Sequence, residues 1–355
     1  MALNSPFMNF TIYVLFVFIL YFGSYLIVSS QGTAFGVGQL SSLITYGFMM
    51  LMSLMMLSFV FAMIIIAEEG ARRIYEVLLA TSTINNPENP LTEVTDGSID
   101  FENVGFSYSG PEGREALSGV DLHINSGEVI GIIGGTGSAK STLVQLIPRL
   151  YDVTAGSVSV GGHNVKDYDI DTLRGAVAMV LQKNVLFSGT IKENLLWGNP
   201  DATDEEILEA ARLAQADSFV QTFPDKYETH IEQGGNNVSG GQKQRLCIAR
   251  ALLRRPKVLI LDDSTSAVDT KTDSLIRSGL KDFLPDTTKI IIAQRTSSIE
   301  ESDKIIVLDN GRINAIGTHK ELLKDNPIYR EVYFSQNKQS VDENQSQEGE
   351  VTSHE

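Results

Sequence analysis

Val129-Ile130-Gly131-Ile132-Ile133-Gly134-Gly135-Thr136-Gly137-Ser138-Ala139-Lys140-Ser141-Thr142 is the stretch on which the fold turns. Its first five residues form an apolar run of the kind a buried parallel strand carries. Leu143-Val144-Gln145-Leu146-Ile147 follows, apolar at helical spacing. Strand, glycine loop, helix is the setting a phosphate-binding loop requires. Glycines let backbone N–H groups converge on phosphate oxygens, and the helix N-terminus adds its positive end. In such a loop Lys140 reaches the β/γ phosphates and the Ser141 hydroxyl takes a position on Mg²⁺. Gly134 to Thr142 is therefore the candidate nucleotide cradle, with ATP and Mg²⁺ as the expected cofactors. The pattern G-x-x-x-x-G-K-[ST] departs at one place, where Ala139 stands instead of the glycine before the lysine. A methyl group there is expected to crowd the phosphates and weaken the site.

The chain of 355 residues has room for two units, and its composition is split. No Asp, Glu, Lys or Arg precedes Glu68, whereas the remainder is charged like a soluble domain. A net charge of −16 argues against a nucleic-acid partner, which needs clustered Lys and Arg. The single cysteine, Cys247, excludes an internal disulfide, fits a reducing compartment, and reads as a packed core residue on a helix.

Phe7 to Val28 is uncharged and apolar, and exceeds the ~20 residues that cross a bilayer as a helix. A second such run, rich in Met, Leu and Phe, extends from about Gln39 to Ala67, with a short polar turn from Ser29 to Gly38 between them. A cleaved signal peptide fits the first run less well, because it lacks a basic start and another span follows. Arg72 and Arg73 place the end of the second span in the cytoplasm, and two spans then put the N-terminus there too. Residues 1–79 are thus expected to be a two-helix membrane segment (about 7–28 and 39–67) with a cytoplasmic extension. Residues 80–97, with Asn85-Asn86-Pro87 and Asn89-Pro90, have a linker composition. Residues 98–335 carry a mixed α/β pattern. Strands are expected at Ile99–Tyr108, Leu117–Ile124, Val158–Gly162, Val258–Leu261 and Ile290–Ala293, and helices at Thr203–Phe219 and Gln242–Leu253. The acidic stretch 336–355 reads as a disordered tail.

Leu259-Ile260-Leu261-Asp262-Asp263 is an apolar strand ending in two carboxylates. Beside the glycine-loop strand it would deliver Asp262 to Mg²⁺. Upstream, Asn237-Val238-Ser239-Gly240-Gly241-Gln242-Lys243-Gln244-Arg245 places small residues before a helix, a second N-terminus suited to anions.

Together these segments resemble the ATP-binding-cassette (ABC) superfamily in its exporter branch, from about Ser5 to Phe334. The resemblance implies two apolar helices joined to an α/β P-loop nucleotide-binding domain. It also implies that Ser239, Gly240, Gly241 and Gln242 close over the γ-phosphate held by a partner chain's loop. Tyr108, in FSYSG, resembles the aromatic that stacks on adenine. Gln182, in VLQKNVLFSGTIKENLLWG, resembles the glutamine that senses Mg²⁺ and contacts the membrane domain. Ser266-Ala267-Val268-Asp269 resembles the loop that crosses between cassettes, and Ile231-Glu232-Gln233-Gly234-Gly235 occupies the place of a cross-chain coupling loop.

Two more departures appear once the family pattern is laid over the chain. The family's general base is a glutamate directly after the metal-binding aspartate, and Asp263 stands there. Its switch histidine is here Gln294, within Ala293-Gln294-Arg295. Three departures at one ATP site, beside an intact SGGQ, point to the degenerate-site subunit of a heterodimer. A second half-transporter chain, carrying the glutamate and histidine, would supply the competent site. The first four helices of a six-helix exporter domain have no counterpart here, so a truncated product, a fragment or half of a split subunit is expected. The expected setting is a lipid bilayer, the bacterial plasma membrane, with the cassette cytoplasmic. A nucleotide-gated regulator that pumps nothing and a non-functional remnant are the rival classes. The sequence indicates no substrate.

Overall fold

The computed structural model describes residues 4–31, 33–263 and 268–336. Ser266 and Ala267 of the cross-cassette loop, and the acidic tail from 337 onward, lie outside the described residues. The chain divides into two compact units, Met1–Thr83 and Ile84–Glu355.

The first unit is a helical pair, α1 (Asn4–Ser29) and α2 (Val37–Leu79). They meet where Gly23 lets Leu40 approach: a Cβ on that glycine would lie 2.3 Å from the leucine's Cδ1. Phe16 and Phe48 face each other at 6.4 Å. No residue of α2 is buried, and its large side chains are apolar on every side, as a lipid-facing or bundle-facing helix requires. Both helices are long and apolar enough to cross a membrane. Charge enters only in the last turns of α2, where Arg72 pairs with Glu76 and Arg73 with Glu69 at four-residue spacing.

In chain order the second unit holds β1 (Ile99–Phe106), β2 (Leu117–Ile124), β3 (Val129–Ile133), α3 (Lys140–Gln145), β4 (Ala155–Val160) and β5 (His163–Asn164). Next come α4 (Ile170–Ala176), β6 (Val177–Val180), β7 (Gly189–Thr190), α5 (Ile191–Leu196), α6 (Asp204–Leu213), α7 (Asp217–Val220), β8 (His230–Ile231) and α8 (Gly240–Leu252). The last are β9 (Val258–Asp262), α9 (Thr270–Phe283), β10 (Thr288–Ile292), β11 (Lys304–Asp309), β12 (Arg312–Gly317) and α10 (His319–Asp325).

A six-stranded sheet in the order β12-β11-β3-β10-β9-β6 forms the centre. All its pairings are parallel except the β11–β12 hairpin. Every residue of β9 and β10 is buried, which is why Val258–Leu261 and Ile290–Ile292 read as continuous apolar runs. Their alternate side chains feed two cores. Leu259 and Leu261 face the cluster built with the helices, and Val258 and Ile260 face the cluster shared with the antiparallel sheet β2-β1-β4-β5.

Residues 84–97 are tied to this second unit. Asn86 donates to the Asp169 carboxylate at 2.6 Å and accepts from the Ile170 N–H at 2.9 Å, at the start of α4. The Asn85 carbonyl accepts from Arg149 at 3.2 Å, and Leu91 pairs with Tyr168 in an isolated bridge.

Candidate active site

Neighbouring parallel strands end along one edge, so β3, β10, β9 and β6 deliver four loops to the same rim. In open α/β sheets that carboxyl rim is where ligands bind.

From β3 comes the glycine loop. A Cβ on Gly134 would fall 2.1 Å from the Leu308 carbonyl oxygen, so only glycine fits there. Gly135, Thr136 and Gly137 are exposed, while Ser138 is buried beneath them. Ala139 caps α3 in the left-handed region, at φ 71° and ψ 26°. Its side chain packs against the apolar cluster shared with the antiparallel sheet. The left-handed backbone adds a cost of its own beside the expected crowding of phosphates: an L-residue held there loses about 1–2 kcal/mol. Ala139→Gly should raise the melting temperature by roughly 2 °C, after the greater freedom of unfolded glycine is subtracted. Thermal unfolding without ATP checks this. A lower melting temperature in the glycine variant would show that the backbone at 139 carries no strain.

Lys140 opens α3, and its Nζ donates to the carbonyls of Gly134 at 2.8 Å and Gly135 at 2.9 Å. Burial holds this ammonium below its usual pKa, opposed by the nearby Asp262 and Asp263. Ser141 is exposed on the loop side. The buried Thr142 shares a 3.0 Å hydrogen bond with the Tyr108 hydroxyl. Tyr108 itself is 56% exposed, set edge-on against Phe106 and Tyr151.

The other strands supply the polar centre. Asp262 ends β9 and is 8% exposed. Asp263 follows in the left-handed region at φ 48°, its N–H donating to the Ile292 carbonyl at 2.9 Å. Gln182, beyond β6, and Gln294, beyond β10, both donate through Nε2 to the same Oδ2 of Asp263, at 3.0 and 2.7 Å. Burial pushes the Asp263 carboxyl above the usual carboxylate range. The Gln182 amide pulls the other way, Asp262 adds to the rise, and Gln294 and Lys140 oppose it.

Lys140, Asp262, Asp263, Gln182 and Gln294 are thus one cluster. The signature residues are not part of it. Ser239 caps α8 by accepting from the Gln242 N–H at 3.3 Å, and Gln242 Oε1 accepts from the Ser239 N–H at 2.9 Å. This capping box turns both side chains on themselves and leaves Gly240 and Gly241 at the helix tip. One residue of the signature stretch to which the sequence assigns no role links the two regions: the buried Gln244 of α8 donates to the Asp263 carbonyl at 3.5 Å.

The donor set fits a magnesium nucleotide. Mg²⁺ is held by one or two carboxylates together with substrate phosphates, not by a protein cage, and Asp262 stands beside Asp263 and Lys140 at this rim. Ser141, Gln182 and Asp262 would hold it, and it would neutralise charge on the β and γ phosphates.

A groove adjoins Gln182, lined by Leu181, Val185, Phe187, Trp197 and Arg250. Phe187 and Trp197 stack at 4.8 Å, and Trp197 is 65% exposed.

The family model described as "ABC transporter" matches residues 117–266. A putative multidrug export ATP-binding/permease protein of Staphylococcus aureus is 45% identical over 245 residues, 69% of this chain and 42% of that protein. An uncharacterized ABC transporter ATP-binding protein of Mycobacterium bovis is 42% identical over 340 residues, 94% of this chain and 57% of that protein. Residues 117–266 are thus an ABC transporter domain, in a chain similar to ABC exporters over most of its length. In solved structures, a bacterial Atm1-family ABC exporter with ATP bound superposes with TM-score 0.72 at 33% identity, over 85% of this chain and 53% of that one. The chain therefore spans about half the length of the relatives it matches, two apolar helices followed by the nucleotide-binding domain.

Proposed function

We propose that this chain supplies a cassette and two membrane helices to an ABC exporter, as the subunit whose own ATP site is degenerate. ATP and Mg²⁺ would bind between the glycine loop, Tyr108, Asp262 and Gln182. ATP binding would join two cassettes, and export would follow from hydrolysis at a site completed by the Ser239–Gln242 tip of this chain. The partner half-transporter would bring the glutamate and histidine lacking here. The groove beside Gln182, with its exposed Phe187–Trp197 stack, suits a cytoplasmic loop of the membrane domain.

One observation carries the degenerate-site part. The residue at the general-base position reaches no farther than its two amide neighbours, and both spend their Nε2 donors on its Oδ2. Asp263 is one methylene, roughly 1.5 Å, shorter than glutamate, and neither amide can take a proton from it. The carboxylate is held in place, and the proton relay that a histidine offers is missing.

Tagging the chain, purifying it from membranes in mild detergent and weighing every intact species that copurifies tests the assembly. A second cassette-bearing chain with glutamate after its metal-binding aspartate is the expected result. Recovery of this chain alone, as copies of one mass, would overturn the heterodimer.

A further inference from the structure

We propose that Gln336 is a positioning residue for the ATP site, fixing the backbone at Gln294 and so the seating of that side chain on Asp263. This builds on the proposed ATP site, although the clasp itself is a matter of geometry.

Residues 327–336 form a helix that is firmly docked on the cassette. Tyr329 is fully buried, and its hydroxyl hydrogen-bonds with His319 Nδ1 at 2.7 Å. Its N–H donates to Asn326 Oδ1 at 2.8 Å. Ile328 and Val332 pack against the cluster on the helical side of the central sheet. At the end of this helix the Gln336 amide meets the switch segment twice. Its Nε2 donates to the Gln294 carbonyl at 2.7 Å. Its Oε1 accepts from the Thr296 N–H at 2.9 Å and from the Thr296 hydroxyl at 3.2 Å. Bonding the carbonyl of one residue and the N–H of the residue two beyond is how a parallel strand neighbour pairs. One side chain thus does for the switch segment what a seventh strand would do.

The far side of the segment is held as well. Arg277 of α9 donates to the carbonyls of Ser297 at 3.3 Å and Ser298 at 3.2 Å, and pairs with Asp273 at 3.1 Å. With Thr296 buried at 3% exposure, the backbone from 294 to 298 is gripped at both ends. Gln294 stands at the end that Gln336 grips. Because that grip acts on the main chain, it is independent of the side chain at 294.

The test uses the full chain with its copurifying partner, in a background of Asp263→Glu with Gln294→His and with the partner's general-base glutamate changed to glutamine, so that turnover reports this chain's own site. Hydrogen exchange at the Thr296 amide and steady-state ATP turnover are measured together. Gln336→Ala should raise exchange at Thr296 about tenfold and lower kcat about tenfold while KM stays within about twofold, because only an element next to the reacting phosphate is misplaced. Gln336→Glu keeps the Oε1 acceptor and loses the donor. It should leave Thr296 exchange within about twofold of the parent and still lower kcat, a separation that general loosening of the fold would not produce. Unchanged exchange in Gln336→Ala, unchanged kcat in both variants, or a raised KM at constant kcat each overturn the proposal. A background that fails to turn over ATP would instead refute the degenerate-site assignment, and Thr296 exchange would still decide whether the clasp exists.

Discussion

Replacing Asp263 with glutamate and Gln294 with histidine together is expected to raise ATP turnover at this chain's own site about a hundredfold, read in the assembled complex with the partner's general-base glutamate changed to glutamine. The added methylene moves the carboxylate roughly 1.5 Å outward, and a misplacement of about 1 Å at a reacting group costs on the order of a hundredfold, or about 2.7 kcal/mol of barrier. The geometry adds a condition on the single variants. Gln182 and Gln294 share one oxygen of Asp263, so lengthening residue 263 alone displaces that oxygen from both donors. Changing residue 294 alone leaves a short carboxylate with a new neighbour. Touching residues are not additive, and each single change should give less than half of the logarithmic gain. Steady-state ATPase assays on the four combinations decide this. A double variant that turns over at the parent rate would show that the site is not limited by its base and switch residues, and the division of labour between two chains would fall with it.

Lys140→Ala is expected to weaken ATP binding by about a hundredfold, close to 3 kcal/mol for lost charge-assisted contacts to phosphate. Two effects coincide at this residue. Its ammonium is the cation placed for the phosphates, and it bridges the carbonyls of Gly134 and Gly135, so the loop loses an internal brace as well. Lys140→Arg should not restore binding, because a planar guanidinium cannot replace a compact ammonium at both carbonyls. Nucleotide titration followed by fluorescence or calorimetry, with an unfolding curve recorded without ATP, separates the two contributions. Unimpaired binding in the alanine variant would remove Lys140 from the site.

Much of this arrangement was legible in the chain, because local signals and the global fold agree there. The run Val129–Ile133 before the glycines, the Leu259–Asp262 strand with its terminal carboxylates, and the two apolar spans all read correctly from period and composition. Other features had signals that were not used. Asn310-Gly311 sits between β11 and β12, with Asn310 at φ 46° and Gly311 at φ 75°. Asn-Gly between apolar strands is a strong short-range mark of a hairpin, and it closes the edge of the central sheet. The stretch read as one helix from Thr203 to Phe219 is two, α6 and α7, broken at Gln215 with φ 54°. No glycine or proline announces that break. It is stabilised from a distance by Arg245, which donates to the Gln215 carbonyl at 2.8 Å and lies over the Phe219 ring. Gln336 had no sequence signal at all, since its partners lie about forty residues away in sequence. A polar side chain serving as a strand substitute leaves no periodicity to find.

The second membrane helix continues without interruption from Val37 to Leu79, over 43 residues. At about 1.5 Å per residue such a rod is about 64 Å long, roughly twice the hydrocarbon thickness of a bilayer. Its apolar run ends at Ala67, and the charged residues 68–79 extend it by about 18 Å. A tilt of about 10° at Ala67 would sweep the end of that extension through roughly 3 Å. An uninterrupted helix carries a change of angle in its apolar run directly to its charged end.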